Sequence, residues 1–307
     1  MNLLLAVAEN AERWHEAFAA RLPEATITRW PGERPREVDY AAVWKPDPEA
    51  FRRVEVRRAI FNLGAGVDGL LAVETLPPDV PIVRLEDAGM AAQMAEYAVL
   101  TVLREFRDAD HYTRAHRAKH WSPQRPRDRH TFGIGVMGAG VLAQAVLAAL
   151  QPFGFPLAAW SRMPHALPGV ESFAGAERLP AFLARSKMLI ALLPSTEETR
   201  DLLDADALAL LPSGAHIVNL GRGDLVVDTA LIAALNRGHI AHATLDVFRE
   251  EPLPPKHPFW HHSAITVTPH VSAVTRIADS VAQVVAKIRA LERGELVGGV
   301  VDRAKGY

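Results

Sequence analysis

The chain contains no cysteine. That excludes disulfides, thiolate nucleophiles and cysteine-ligated metal, and it fits a reducing compartment. An excess of charge of one sign is missing too. The 34 Lys and Arg residues are balanced by 36 Asp and Glu, a formal net charge of −2, so no basic field points to nucleic acid. No apolar run reaches the length of a membrane span. The opening MNLLLAVAENAER lacks a basic n-region and a long apolar h-region, so it reads as a first strand rather than a signal peptide. These absences set the expectation of a soluble cytoplasmic protein with neither nucleic acid nor membrane as partner. With 307 residues, 49% hydrophobic and 23% charged, the chain has the make-up of a globular protein with room for two cores.

What is present centres on residues 131–143, TFGIGVMGAGVLA. Residues 132–137 form an apolar run sufficient for one buried strand. Gly138-Ala139-Gly140 follows, and then a helical pattern with Val141, Leu142, Val146, Leu147 and Leu150. A strand turning on glycines into a helix is the dinucleotide-binding fingerprint, in which the pyrophosphate rests on the helix N-terminus. Ala143 stands where a third small residue lets helix and strand pack closely. Gly133, Gly135 and Gly138 spell the same spacing, but that register puts the turn inside the apolar strand and is rejected.

Before this motif, residues 3–7, 41–44, 59–62 and 81–84 read as strands and 11–22 as a helix, a small parallel α/β unit. Residues 90–118 read as one long helix without Pro or Gly, and 121–130 (WSPQRPRDRH) as a solvated basic connector. After the motif, candidate strands at 132–137, 157–160, 188–193, 216–219, 243–245 and 265–268 alternate with helices such as 205–211 and 229–236. This is the rhythm of a doubly wound, Rossmann-type parallel sheet. A final helix, 278–293, carries Val281, Val284, Val285 and Ile288 on one face. Because the fingerprint lies in mid-chain, the cofactor domain (98–276) is expected to be inserted into a smaller, flavodoxin-like α/β domain formed by 1–97 plus 277–307.

The chemistry-bearing residues cluster after strand ends, the edge where such sheets bind ligands. Trp160-Ser161-Arg162 ends the second cofactor strand without the acidic residue that binds a ribose 2′-hydroxyl. Serine and arginine suit a 2′-phosphate, so NADPH is favoured and NADH is the alternative. Arg222, between Gly221 and Gly223, has little steric cover and is suited to a substrate carboxylate. Asp246 ends the next strand, Glu251 follows in the loop after it, and His270 ends the last. Histidine is the natural proton donor near neutral pH, and a carboxylate against it favours the imidazolium.

These residues sit in motifs that resemble the D-isomer-specific 2-hydroxyacid dehydrogenases. The motifs are GAGVD (64–68), VMGAGVLA (136–143), LLPSTEETR (192–200), VNLGRG (218–223), LDVFREEPLP (245–254) and TPHVSAVT (268–275). WSR, PFW-H before the last strand and the VDRAKGY ending look most like the bacterial glyoxylate/hydroxypyruvate reductase A branch. The resemblance implies NAD(P)H-dependent reduction of small 2-keto acids. It casts His270 as proton donor, Glu251 as its hydrogen-bonded carboxylate and Arg222 as carboxylate anchor. The backbone N–H groups around Gly64, Ala65 and Gly66 would hold the other side of that carboxylate, with Trp44 in the substrate pocket. Gly138, Ala139, Gly140, Val141, Leu142, Ser161, Arg162, Leu193, Pro194 and Leu220 would line the cofactor, Leu193-Pro194 on the adenosine side, with Asp246 near the nicotinamide. It also implies a homodimer formed through the cofactor domain.

Rival readings are a dehydrogenase of the same scaffold for another small anion, such as phosphite or formate, and a nucleotide-sensing co-repressor-like binding protein. The Glu251 and His270 pair weighs against formate, which needs no acid catalyst. His257, His261 and His262 surround Phe259-Trp260 without carboxylates at metal-binding spacing, so no metal site is read. His111, His116 and His120 read as solvated.

Overall fold

The computed structural model describes residues 1–32 and 35–306. Tyr307, the last residue of the VDRAKGY ending, lies outside the described residues. The chain divides into two compact units, one formed by Met1–Met90 and the segment from Thr275 onward, the other by Ala91–Val274.

The first unit is built on the strands β1 (Asn2–Val7), β2 (Thr26–Arg29), β3 (Glu37–Trp44), β4 (Glu55–Asn62) and β5 (Ile82–Arg84). They form one parallel sheet in the order β2-β1-β3-β4-β5, the flavodoxin-like arrangement. Leu3, Leu4, Leu5 and Ala6 of β1 are all buried, as a parallel strand covered on both faces requires. The helix Ala11–Arg21 buries Trp14 and Phe18, and the closing helix Ile277–Glu292 packs against it. Val281, Val284, Val285 and Ile288 form the buried face of that closing helix. Tyr40 donates to Glu292 Oε1 at 2.8 Å, and Lys287 Nζ donates to the carbonyls of Arg84 (3.1 Å) and Gly298 (2.7 Å). The C-terminal segment thus completes the unit that the N-terminal segment begins, and the second unit is an insertion.

That second unit holds β6 (Ile134–Met137), β7 (Leu157–Ser161), β8 (Glu171–Ala174), β9 (Met188–Ala191), β10 (Ala215–Asn219), β11 (Ile240–Leu245) and β12 (Ile265–Val267). All pair in parallel in the order β12-β11-β10-β9-β6-β7-β8. The direction of winding reverses between β6 and β9, the switch point at which doubly wound sheets bind nucleotides. Gly133 and Gly135 precede or lie within β6. A Cβ on them would fall 2.4 Å from the Arg185 carbonyl oxygen and 2.1 Å from Ser186 Oγ. They are packing glycines, and the turn begins at Gly138.

Two strands have no counterpart in the sequence reading. Both β2 (TITR) and β8 (ESFA) are edge strands, half-solvated, and too polar to give an apolar run. The expected single helix over 90–118 is broken in two, Met90–Phe106 and Ala109–Arg117. The break is at Asp108, whose φ of +55° interrupts the hydrogen-bond ladder without Gly or Pro. Aspartate tolerates this left-handed geometry better than most residues, and Arg127 Nη2 donates to its carboxylate at 2.6 Å. The connector is correspondingly anchored rather than merely solvated. Arg127 also pairs with Glu105 at 2.6 Å, and the Arg129 guanidinium lies 5.6 and 5.4 Å from the ring centroids of Phe106 and Phe155. His111 is likewise held, its Nε2 lying 3.0 Å from the Ser122 carbonyl oxygen.

Glu105 gives this region a pH dependence. Burial acts to raise its pKa, but the hydrogen bond and charge of His216 at 2.9 Å, with Arg127 beside it, bring it down to about 2 from 4.5. A carboxylate held low in the folded state stabilises it above its ordinary pKa and loses that contribution as pH falls through the folded value. Glu105→Gln is expected to be less stable than the parent at pH 7. The gap should narrow between pH 4.5 and about 2, as read by denaturant midpoints across that range.

Candidate active site

Gly138 follows β6 with a φ of +125°, a region L side chains rarely adopt, and its N–H donates to the Trp160 carbonyl at 2.7 Å. A Cβ here would lie 3.3 Å from the Leu192 carbonyl oxygen, so the turn passes close to the end of β9. Two residues on, a Cβ at Gly140 would meet nothing within 4 Å. That leaves open space in front of the helix Val141–Leu150. The first N–H groups of a helix have no partner within it and carry the positive end of its dipole. Ala143 is 2% exposed and Ala139 5%, packed against the unit, whereas Val141 is 49% exposed. Leu142 is half-buried. This open turn fits the pyrophosphate of a dinucleotide.

Beside it, β7 ends in buried Ser161, whose hydroxyl donates to the Met163 carbonyl at 2.7 Å. Arg162 is exposed, and its Nη1 pairs with Glu198 Oε2 at 3.3 Å. Leu193 and Leu220 are buried, and Pro194 is exposed at the start of a loop tied by Thr199 Oγ1 donating to its carbonyl at 2.7 Å.

Arg222 follows β10. Asn219 organises its turn, with Nδ2 donating to the Arg222 carbonyl at 2.8 Å and Oδ1 accepting from Gly221 N–H at 3.2 Å. The flanking glycines have a stronger reason than uncovering the arginine. A Cβ on Gly223 would fall 1.9 Å from the Phe248 carbonyl carbon, and one on Gly221 would fall 2.7 Å from the Leu193 carbonyl oxygen. Neighbouring loops therefore press directly on this backbone and fix where Arg222 begins.

One of those loops carries Glu251. Its Oε1 accepts from the Phe248 N–H at 2.9 Å, and its Oε2 lies 2.7 Å from His270 Nδ1. Burial acts to raise the Glu251 pKa. The hydrogen bonds from His270 and Phe248, with the nearby charges of His270 and Arg222, outweigh it and hold the carboxyl below its usual range. With Nδ1 engaged by a carboxylate, the other ring nitrogen, Nε2, is left to serve a substrate. Arg222, Glu251 and His270 are thus brought together from turns far apart in sequence.

His270 itself has a φ of +55°. A non-glycine residue in this region costs about 1–3 kcal/mol and persists only where its surroundings impose it. Asp246 does so. Its carbonyl accepts from the His270 N–H at 2.8 Å, and its fully buried carboxylate accepts from Thr268 Oγ1 (2.5 Å), Val271 N–H (2.9 Å) and Ser272 N–H (2.8 Å). Tyr97, from the helix Met90–Phe106, extends this network through its hydroxyl, 2.6 Å from Thr268 Oγ1. No local pattern in the sequence pointed to Tyr97, because its partner lies 171 positions away.

In the first unit, Trp44 ends β3 and its ring lies against Gly64, where a Cβ would fall 2.1 Å from Trp44 Cζ3. Ala65 and Gly66 are half-buried. Asn62, the buried last residue of β4, donates from Nδ2 to the carbonyls of Gly64 (2.9 Å) and Gly66 (2.8 Å). Sequence reasoning passed over Asn62, although a polar residue closing the apolar run AIF was the available signal.

Residues 97–272 match the family model described as "D-isomer specific 2-hydroxyacid dehydrogenase, NAD binding domain". The chain is 46% identical over 303 residues to the protein from Yersinia enterocolitica named "Glyoxylate/hydroxypyruvate reductase A", covering 97% of this chain and 96% of that one. A protein of the same name from Serratia proteamaculans is also 46% identical, over 97% of each chain. A D-isomer specific 2-hydroxyacid dehydrogenase from Xanthobacter autotrophicus, solved with NADPH and MES, is similar with a TM-score of 0.94 and 42% identity over 100% of this chain and 99% of that one. The NADPH-dependent glyoxylate/hydroxypyruvate reductase from Sinorhizobium meliloti, solved with NADP and sulfate, gives a TM-score of 0.94 at 32% identity with the same coverage. With a histidine–carboxylate pair and an arginine beyond the strand ends of a doubly wound sheet, the chain belongs to the D-isomer specific 2-hydroxyacid dehydrogenase family.

Proposed function

We propose that this protein reduces small 2-keto acids with NADPH, converting glyoxylate to glycolate and hydroxypyruvate to D-glycerate. The observation that carries this reading is the 2.7 Å contact of His270 Nδ1 with Glu251, with the charge of Arg222 acting on the same carboxylate. A reduction that turns a carbonyl into an alcohol needs a proton donor, whereas formate oxidation does not, and phosphite has no carboxylate for Arg222. The two relatives named as glyoxylate/hydroxypyruvate reductases, 46% identical, support the substrate class. The NADPH and NADP in the two solved relatives support the cofactor.

In this reading Gly138, Ala139, Gly140, Val141 and Leu142 receive the pyrophosphate and Ser161 with Arg162 the 2′-phosphate. Leu193, Pro194 and Leu220 border the cofactor, and Asp246 holds the turn beside it. When bound, the nicotinamide supplies hydride to the carbonyl carbon. Arg222 binds the substrate carboxylate through paired donors and polarises the adjacent carbonyl. His270 Nε2 gives its proton to the keto oxygen as negative charge develops there, and Glu251 supports the imidazolium until transfer. The backbone N–H groups around Gly64, Ala65 and Gly66 are the carboxylate-binding donors of the first unit, with Trp44 lying against Gly64. The first unit is then the substrate domain and the second the dinucleotide-binding domain.

The test is the fall in NADPH or NADH absorbance with glyoxylate, hydroxypyruvate and pyruvate in turn. Faster oxidation of NADPH with glyoxylate or hydroxypyruvate supports the reading, and no oxidation with any of the three overturns it. Arg162→Ala is expected to raise the KM for NADPH about tenfold, the scale of one charge-assisted contact, and to leave that for NADH little changed. Steady-state titration of both cofactors checks it.

The protein is further proposed to form a homodimer through the second unit, as the family resemblance implies. Light scattering that finds only monomer would reject this. The compartment proposed is the cytoplasm, supported by the absence of cysteine. Among the described residues no helix is long and apolar enough to cross a membrane.

A further inference from the structure

We infer that Asn62 is a positioning residue for substrate, and that the donors it presents to the substrate carboxylate are the N–H groups of Ala65 and Val67. The inference deepens the proposed function and rests on the reading that the loop at 64–67 binds a keto-acid carboxylate.

The peptide group is planar and trans, so the N–H of one residue points opposite to the C=O of the residue before it. Asn62 is 3% exposed, and its single amide nitrogen holds the carbonyls of Gly64 and Gly66 at 2.9 and 2.8 Å. The Gly64 carbonyl also accepts from the Leu85 N–H at 3.3 Å. Both carbonyls are therefore turned into the protein. The N–H groups on the far side of those same two peptides, those of Ala65 and Val67, are directed the other way. These two N–H groups flank Gly66 and face away from Asn62, where a carboxylate can accept from the loop backbone.

Nothing else local fixes this orientation as firmly. The loop carries two glycines, which by themselves permit many backbone conformations. Trp44 lies against Gly64 from one side, close enough to exclude a Cβ, but a ring face orients no peptide dipole. Asn62 alone ties both carbonyls through one planar amide. It touches no substrate in this account. Its effect is on where the donors point, so its loss should appear in substrate affinity and not in the chemical step.

The experiment compares the full-length protein with Asn62→Ala and Asn62→Asp. The alanine variant removes the tether, and the aspartate variant replaces a donor by a carboxylate facing two carbonyls. The expected result is a KM for glyoxylate raised roughly threefold to tenfold in Asn62→Ala, the scale of one lost hydrogen bond, and further in Asn62→Asp. The kcat and the KM for NADPH should stay within about twofold of the parent, as a positioning role predicts. In parallel, each NADPH-loaded protein is titrated with oxamate, a non-reducible carboxylate analogue, by calorimetry, with the same loss of affinity expected. An active parent with an unchanged glyoxylate KM and oxamate affinity in Asn62→Ala overturns the inference and leaves the proposed function standing. So does an equal fall in kcat and in NADPH affinity, which marks a general folding defect. A parent that neither oxidises NADPH with a keto acid nor binds oxamate overturns the proposed function and this inference with it.

Discussion

His270→Ala is expected to lower kcat for glyoxylate reduction by roughly 10²–10⁴-fold, the range a positioned general acid contributes. NADPH binding, measured by fluorescence titration, should be unchanged, because the glycine turn after β6 and the end of β7 owe nothing to the imidazole. The geometry makes the prediction specific. Nδ1 of His270 faces Glu251 at 2.7 Å, and the residue is held at a φ of +55° by bonds from its own turn to Asp246. Removing the side chain leaves that turn tied by Thr268, Val271 and Ser272, so the loss should be chemical rather than structural. Glu251→Gln is the companion. It keeps a hydrogen-bond acceptor and deletes the charge, and Glu251 is ionised across the working range because its pKa is held below the usual value. The variant's deficit in kcat/KM should be smallest at acid pH, where histidine is protonated without help, and should grow as pH rises. A deficit independent of pH would assign Glu251 to orientation alone. Full activity in His270→Ala would remove the imidazole from the reaction.

Arg222→Ala should lower kcat/KM for glyoxylate on the order of 10³-fold, since a charge pair with a desolvated partner is worth about 2–5 kcal/mol when one side is deleted. Arg222→Lys should recover only part of this. Lysine restores the charge but not the planar pair of donors that matches a carboxylate. The backbone at this site is fixed independently of the side chain, by Asn219 and by the close approach of the loops at Leu193 and Phe248. A folding defect is therefore not expected, and a thermal melt of the NADPH complex matching the parent's would show it. If lysine restored full activity, a point charge would suffice and the two-donor geometry would be wrong.

The glycine turn could be read because its requirement is local: a positive φ at Gly138 and open space at Gly140 are properties of three consecutive residues and the strand before them. The alternation of apolar runs and helical stretches showed two parallel α/β units and the insertion of one in the other, since each buried parallel strand is a short continuous apolar segment. It failed where that signal is absent. The edge strands Thr26–Arg29 and Glu171–Ala174 face solvent and are polar, and the break at Asp108 lies in a helical pattern with no Gly or Pro to mark it.

The sequence by itself determined which residue types could do the chemistry and that they follow strand ends. Motif order and parallel-sheet topology put Arg222, Glu251 and His270 on one edge of the sheet. Only the tertiary structure decided how they are held. Gly223 is required by the backbone at Phe248, 25 residues away. The turn at His270 is required by Asp246, and the Gly64 loop is turned by Asn62. In each case the deciding force is a hydrogen bond or a close contact between segments distant in the chain, or a single buried amide facing two carbonyls. Sequence periodicity records which face of an element is buried. It does not record which atom lies opposite, and in each of these turns the opposite atom sets how the backbone is held.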